Sequence, residues 1–107
     1  MANKKKAYHL SHRCALVVKL KKPFFDWADI EMNQLSEDMM EPDVYLIPDF
    51  EEHKDVKGWI RRNYDAVFRN ILFGVYTNEA MWPQNRTYDL FCKWVDFSSH
   101  LMVWELE

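Results

Sequence analysis

Short apolar segments and one long amphipathic segment divide this chain into its predicted elements. The segment CALVVKL (Cys14–Leu20) is short, β-branched and almost wholly apolar, which is typical of a buried strand. The segment VYLIP, residues 44–48, lies between two prolines and predicts a second strand. Alternating residues in HLMVWELE, residues 100–107, predict a third.

The helical pattern is clearest between residues 53 and 76, where apolar side chains recur at spacings of three and four. Asp49 and Glu52 just before this segment resemble a capping box. A second helix is predicted over residues 88–97, because Thr87 is a good N-cap. Between the first two strands, apolar residues predict a short helix or irregular turns covering the core.

The predicted order is therefore strand, helix, strand, long helix, helix, strand. Because helix interrupts both strand-to-strand links, we expect an α/β fold, with α+β as the alternative. The expected architecture is a small three-stranded, at least partly parallel sheet packed on two to three helices. Helices on one face would leave the other face or an edge open, and this favours a homodimer. Residues 13–107 would form a single globular domain after a basic flexible arm of residues 1–12.

Composition supports one compact domain and points to a reducing compartment. The chain has 107 residues, of which 49% are hydrophobic and 16% aromatic. So many aromatic residues cannot all be interior, so some are expected to contact a partner. Cys14 and Cys92 are far apart and predict two reduced thiols. The basic start lacks the apolar run of a signal peptide, and no membrane-length segment follows, so we expect a cytoplasmic protein.

Charge is unevenly distributed although the net charge is only -3. The first 25 residues contain seven Lys or Arg and no acid, whereas residues 26–53 contain ten Asp or Glu and no Lys or Arg. These blocks would attract each other within one chain or between two copies, or else form a solvated tail beside a solvated loop. The pI near 5.8 disfavours a nucleic-acid-binding face.

No sequence motif indicates a metal or cofactor site. His9, His12 and Cys14 fit no zinc spacing, so no metal site is expected. Gly58 and Gly74 both fall within the predicted long helix, so the chain has no glycine-rich phosphate loop and no expected cofactor.

Acid–base and nucleophilic chemistry find little more support. The acids and the histidine of residues 49–53 follow the second strand, where they would serve either a catalytic site or helix capping. Ser98, Ser99 and His100 are consecutive, which does not make a triad, so no catalytic nucleophile is predicted.

A tentative ligand-binding site remains around Arg86. Arg86 is the only Arg or Lys between Arg69 and Lys93. It lies shortly after Trp82, and Pro83 restricts the backbone conformation of that tryptophan. Its guanidinium is predicted to stack on Trp82 or to bind a carboxylate such as Asp26. Such contacts would either tie loops together or line an anion-binding cleft. The residues assigned to that cleft are Asp26, Trp27, Glu52, Trp82 and Arg86.

Three segments together resemble a family of small bacterial proteins of unknown function: KKPFFDW, VYLIPDFEE and WPQNRTYDLFCKW with the last strand. The resemblance extends from Cys14 onward and implies a bacterial, cytoplasmic, single-domain protein, with no catalytic residues to assign. The expected function is that of an interaction or accessory domain acting as a homodimer, or binding a protein partner, without nucleic acid or membrane. The alternative is a small enzyme or anionic-ligand binder.

Overall fold

A computed structural model describes residues 7–107. Its strands are β1 (Tyr8–Leu10), β2 (Cys14–Leu20), β3 (Asp43–Ile47), β4 (Val95–His100) and β5 (Trp104–Leu106). Its helices are α1 (Lys22–Trp27), α2 (Glu37–Met40), α3 (His53–Phe73) and α4 (Tyr88–Trp94), with 3-10 turns at Met32–Gln34 and Glu79–Met81. Residues 1–6 of the predicted arm lie outside the described residues, and residues 8–10 form β1.

The larger sheet has the strand order β3-β2-β4, and both pairings are antiparallel. The predicted partly parallel sheet is therefore wrong. The helical connection from β3 to β4 does return the chain in the same direction, since both strands run opposite to β2. However, β2 lies between them, so no parallel ladder forms. The β2–β3 link contains the short helices α1 and α2 and the 3-10 turn between them, and it joins two antiparallel neighbours rather than crossing over to a parallel one.

Strand β2 lies at the centre of the sheet and has the predicted bounds. Cys14, Leu16 and Val18 are at most 2% exposed, whereas Val17 and Lys19, on either side of Val18, are more accessible. This period of two places the first set against the helices and the second on the open face. The helices thus cover one face of the sheet.

Helix α3 supplies most of the opposing layer. Its buried residues repeat at helical spacing and belong to one core with β2: Val56, Ile60, Val67, Phe68, Ile71 and Leu72. The helix ends at Phe73 rather than at residue 76. After it, the amide of Gly74 donates to Ile71 O at 3.1 Å and the amide of Val75 donates to Leu72 O at 3.0 Å. The predicted capping box is absent, because Glu52 is the N-cap residue but its side chain makes no capping hydrogen bond.

Helix α4 begins where the sequence predicts, since Thr87 Oγ1 accepts a hydrogen bond from Leu90 N at 3.1 Å. It ends at Trp94, three residues before the predicted end, because burial then alternates from Val95 onward as in a strand. The predicted last strand over residues 100–107 is only partly correct: Trp104–Leu106 form β5, whereas residues 101–103 are not strand and His100 is the last residue of β4. Strand β4 itself, Val95–His100, was not predicted.

Aromatic side chains fill the space between α1, α3 and α4. Trp94 lies 5.4 Å from Trp27, 5.7 Å from Phe68 and 6.2 Å from Phe24, measured between ring centroids. Phe68 also contacts Phe91 edge to face at 5.5 Å. Such pairs add about 0.5–1.5 kcal/mol each beyond the area they bury. These aromatic residues thus serve packing.

Candidate interaction surface

Arg86 lies in a network of hydrogen bonds that joins the loop before α4 to α3. Its Nε and Nη2 atoms donate to the two carboxylate oxygens of Asp65 at 2.8 and 3.3 Å, and Nη1 donates to Pro83 O at 3.0 Å. The guanidinium carbon lies 5.7 Å from the Trp82 ring centroid. The hydrogen bond with Asp65 is the main cause that raises the pKa of Arg86, while burial acts in the opposite direction. Arg86 therefore stays charged at any ordinary pH.

Trp82 holds the same loop from its other side. Its side chain is only 5% exposed, and its Nε1 donates to Tyr76 O at 2.8 Å. The hydroxyl of Tyr64 donates to the Arg86 carbonyl at 3.1 Å. The predicted stacking of Arg86 on Trp82 is confirmed, but the carboxylate that Arg86 binds is Asp65 and not Asp26.

The other three residues of the tentative site lie elsewhere. Asp26 is exposed on α1 and pairs with Lys22 at 3.0 Å. Trp27 packs against Tyr76 and Trp94, and Glu52 at the start of α3 pairs with Lys54 at 3.1 Å. A cavity of about 230 Å³ beside Arg86 is lined by Arg69, Glu79, Trp82 and Gln84, without those three. The structure thus brings together Trp82 and Arg86 only.

A larger cleft of about 520 Å³ lies beside the junction of β4 and β5. Its lining includes His53 and Ser99, whose Nδ1 and Oγ atoms lie 2.7 Å apart. The two residues are 46 positions apart, so their contact could not be found from local spacing. A serine nucleophile also needs its histidine oriented by a third group, and no residue within 7–107 bonds to His53 Nε2. The pair alone does not make a catalytic centre.

The feature that sequence analysis missed is a two-stranded ribbon, which we define as residues 7–11 paired with residues 103–107. Tyr8 pairs with Leu106 and Leu10 with Trp104, and Ser11 N donates to Val103 O at 2.7 Å. The ribbon continues the β2–β4 ladder after a bulge: four residues separate Leu10 from Ala15, and three separate His100 from Trp104.

The two faces of the ribbon differ sharply in polarity. Because paired residues point to the same side, Tyr8, Leu10, Trp104 and Leu106 share one face, which we call the apolar ribbon face. Their exposed fractions are 52%, 43%, 52% and 80%. On the opposite face His9 pairs with Glu105. The Tyr8 and Trp104 rings contact edge to face at 5.8 Å, so this surface is organised rather than a set of scattered side chains.

Comparison of the chain with protein-family models, with curated proteins and with solved structures finds no match. Within residues 7–107, no group of three or more His, Cys, Asp or Glu is arranged to hold a metal ion. None of the helices in that range combines the length and the apolar character needed to cross a membrane. The function is therefore inferred from the geometry of the exposed surface.

Proposed function

We propose that this protein is a small cytoplasmic interaction domain that acts as a homodimer, with the apolar ribbon faces of two copies packed together. The observation that carries the proposal is the exposure of four large apolar side chains on one face of the ribbon. Two-stranded ribbons are only marginally stable alone in water and need a packed apolar face. A second copy would provide that face.

The size of the apolar ribbon face suits a dimer. Its four side chains expose on the order of 450 Å² per copy, so two copies would bury roughly 900 Å² from these side chains alone. Backbone and rim residues would bring the total close to the roughly 1,200 Å² at which specific interfaces begin. The same surface on each copy would make a two-fold symmetric contact.

Charge also favours a second copy over a charged partner at this surface. The only ionisable side chains of β1 and β5 besides that of Tyr8 are those of His9 and Glu105, which contact each other on the face away from the four apolar residues. Two apolar ribbon faces would therefore meet without placing like charges in contact. A strongly charged partner would find no complementary group there.

The alternative of an anionic-ligand binder has less support. Three nitrogen atoms of the Arg86 guanidinium already donate to Asp65 and Pro83. A ligand would have to replace these bonds, and Asp65 would repel an anion.

Substitution of Leu106 tests the dimer with little risk to the monomer, because this side chain is 80% exposed. Burying a leucine contributes about 2 kcal/mol, so Leu106→Asp in both copies should weaken the dimer by about 4 kcal/mol, roughly a thousandfold. Light scattering at micromolar concentration should give twice the 13.0 kDa chain mass for the native protein and a monomer for the variant.

Met81→Asp is the matched control, because Met81 is 52% exposed but lies in the turn Glu79–Met81, outside the ribbon. This variant should remain a dimer. A native protein that is monomeric at micromolar concentration, or a Leu106→Asp variant that stays dimeric, would show that the ribbon does not mediate self-association.

A further inference from the structure

A separate cavity of about 440 Å³ lies between α1, α2, the C-terminal end of α3 and the start of β3. Its volume is within the range of about 300–1,000 Å³ that is typical of small-molecule sites. Most of its lining residues are apolar, and the deepest of them, Phe24, Phe25 and Ile71, belong to the buried core. The Phe24 and Phe25 rings contact edge to face at 5.4 Å. The cavity therefore offers a fixed apolar surface to a ligand.

Asp43 is the one charged residue that lines this cavity. It pairs with Val18, which is 2% exposed on the helix side of β2, and paired residues point to the same side of a sheet. Asp43 therefore points toward the helices, as Tyr45 and Ile47 do, but it stays exposed because the cavity opens beside it. Among the described residues, 7–107, it forms no ion pair. A carboxylate in this position favours a ligand with a positive charge.

Two further features of the lining favour positive charge. The side-chain amide of Asn70 donates to the Tyr45 hydroxyl at 2.9 Å, which leaves the Asn70 amide oxygen as an acceptor toward the cavity. Gly74 and Val75 line the cavity at the C-terminal end of α3, the negative end of the helix dipole. The last turn of α3 contains no basic residue that would offset this charge.

Two lysines line an adjoining cavity of about 180 Å³, which shares three lining residues with this one. Lys22 pairs with Asp26 at 3.0 Å. Lys19 lies opposite Asp96 on the open face of the sheet, away from the helices. Neither lysine forms an ion pair with Asp43.

We infer that this cavity binds a small organic cation, a protonated amine that carries an apolar alkyl or aryl body. The ammonium group donates hydrogen bonds to the Asp43 carboxylate and to the Asn70 amide oxygen, and the apolar body covers Phe25 and Ile71. A carboxylate ligand would be repelled by Asp43, and a neutral ligand would leave Asp43 without a partner. No residue of the ribbon lines this cavity, so the inference does not depend on the ribbon dimer.

The test is a heteronuclear NMR titration of the full-length protein with phenylpropylamine, phenylpropanol and phenylpropionate. These three compounds share one apolar body and differ in charge. The amine should bind with a Kd on the order of 1 mM and shift the amide signals of Gly74 and Val75. It should bind at least about fivefold more tightly than the alcohol, and the carboxylate should bind most weakly. Added salt should weaken binding of the amine and leave binding of the alcohol unchanged.

Two variants assign the charge effect to one residue. Asp43→Asn keeps the shape of the side chain, and it should weaken binding of the amine at least about fivefold while binding of the alcohol stays the same. Glu41→Gln is the matched control, because Glu41 is an exposed acid two positions earlier that does not line the cavity. This variant should bind the amine as the native protein does.

Equal binding of the three compounds, no saturable binding of the amine, or unchanged amine binding in Asp43→Asn would overturn the inference. Signal shifts confined to residues outside the cavity would also overturn it. Because the ribbon and the cavity share no residue, Leu106→Asp should bind the amine normally even where it abolishes the dimer.

Discussion

Replacing Arg86 by alanine tests whether the network around Trp82 stabilises the fold. The substitution removes two hydrogen bonds to Asp65, one to Pro83 O and the contact with the Trp82 ring. The Arg86 side chain is 20% exposed and that of Asp65 is 42% exposed, so the pair lies between a buried and a surface ion pair. Its loss should therefore cost more than the loss of an ordinary surface salt bridge.

The magnitude follows from these contacts. A surface ion pair contributes about 0.2–1 kcal/mol, and a hydrogen bond to a charged group about 1.5–3 kcal/mol when protected from water. Because water can replace Arg86 on the exposed part of Asp65, we assign about 1 kcal/mol to the pair. The Pro83 carbonyl and the contact with Trp82 add about 1 kcal/mol together. A total near 2 kcal/mol corresponds to a fall in Tm of about 10 °C in a domain of this size.

Thermal unfolding followed by circular dichroism measures this change, with Arg69→Ala as the control. Arg69 also lies on α3 and reaches the same loop, but its single hydrogen bond to Glu79 at 3.1 Å joins side chains that are 54% and 64% exposed. Its removal should lower Tm by less than about 4 °C. Arg86→Lys should be intermediate, because an ammonium cannot bond both oxygens of Asp65 in the planar geometry of a guanidinium.

A fall in Tm for Arg86→Ala no larger than for Arg69→Ala would refute the reasoning. It would mean that the network is no stronger than a solvated surface pair. The guanidinium would then be free to exchange Asp65 for an anion, and the ligand-binding alternative would regain support.

Two further predictions concern local features. Thr87→Ala should lower the free energy of unfolding by about 1 kcal/mol in urea titrations, because Leu90 N loses its side-chain acceptor, whereas Thr87→Ser should not. The pKa of Tyr45 is raised above 10.0 chiefly by burial, with the Asp43 charge adding to the rise and the Asn70 hydrogen bond opposing it. Its contribution to stability is therefore fully present below the unfolded value of 10.0 and is lost as pH rises through the folded value. Urea titrations above about pH 10 should show that loss, and it should be smaller in Tyr45→Phe; an equal loss in both proteins would contradict the prediction.

The helices and strands whose own residues follow a clear hydrophobic or capping pattern could be predicted from the sequence. The spacing of Val56, Ile60, Val67 and the later apolar residues predicts α3, and the β-branched run of β2 predicts a buried strand. Thr87 predicts the start of α4. In each case the prediction depends only on residues that are close together in the sequence, so the rest of the chain is not needed.

Contacts between distant segments could not be predicted in the same way. The partner of Arg86 is Asp65, 21 positions away on α3, and the sequence offers many other acids, including Asp26. Asp65 itself belongs to a stripe with Arg61 and Arg69 that helical spacing alone would leave in solvent. The relative direction of neighbouring strands could not be predicted either, because nothing in the sequence of β3 or β4 specifies that β2 lies between them.

The pairing of the ribbon depends on one extra residue in the chain between β1 and β2. This insertion explains why the ribbon could not be predicted from the sequence, and why its apolar side chains lie on one face. In the register of the β2–β4 sheet, where Ala15 faces His100, continuation outward would pair His9 with Leu106 and Leu10 with Glu105. Each face of the ribbon would then mix polar and apolar residues. The bulge shifts the pairing by one, so that His9 meets Glu105 and Leu10 meets Trp104. The alternating pattern of β1 and β5 is thus satisfied only when the two strands change register between sheet and ribbon. The same change collects four apolar side chains on one exposed face, where a second copy can cover them.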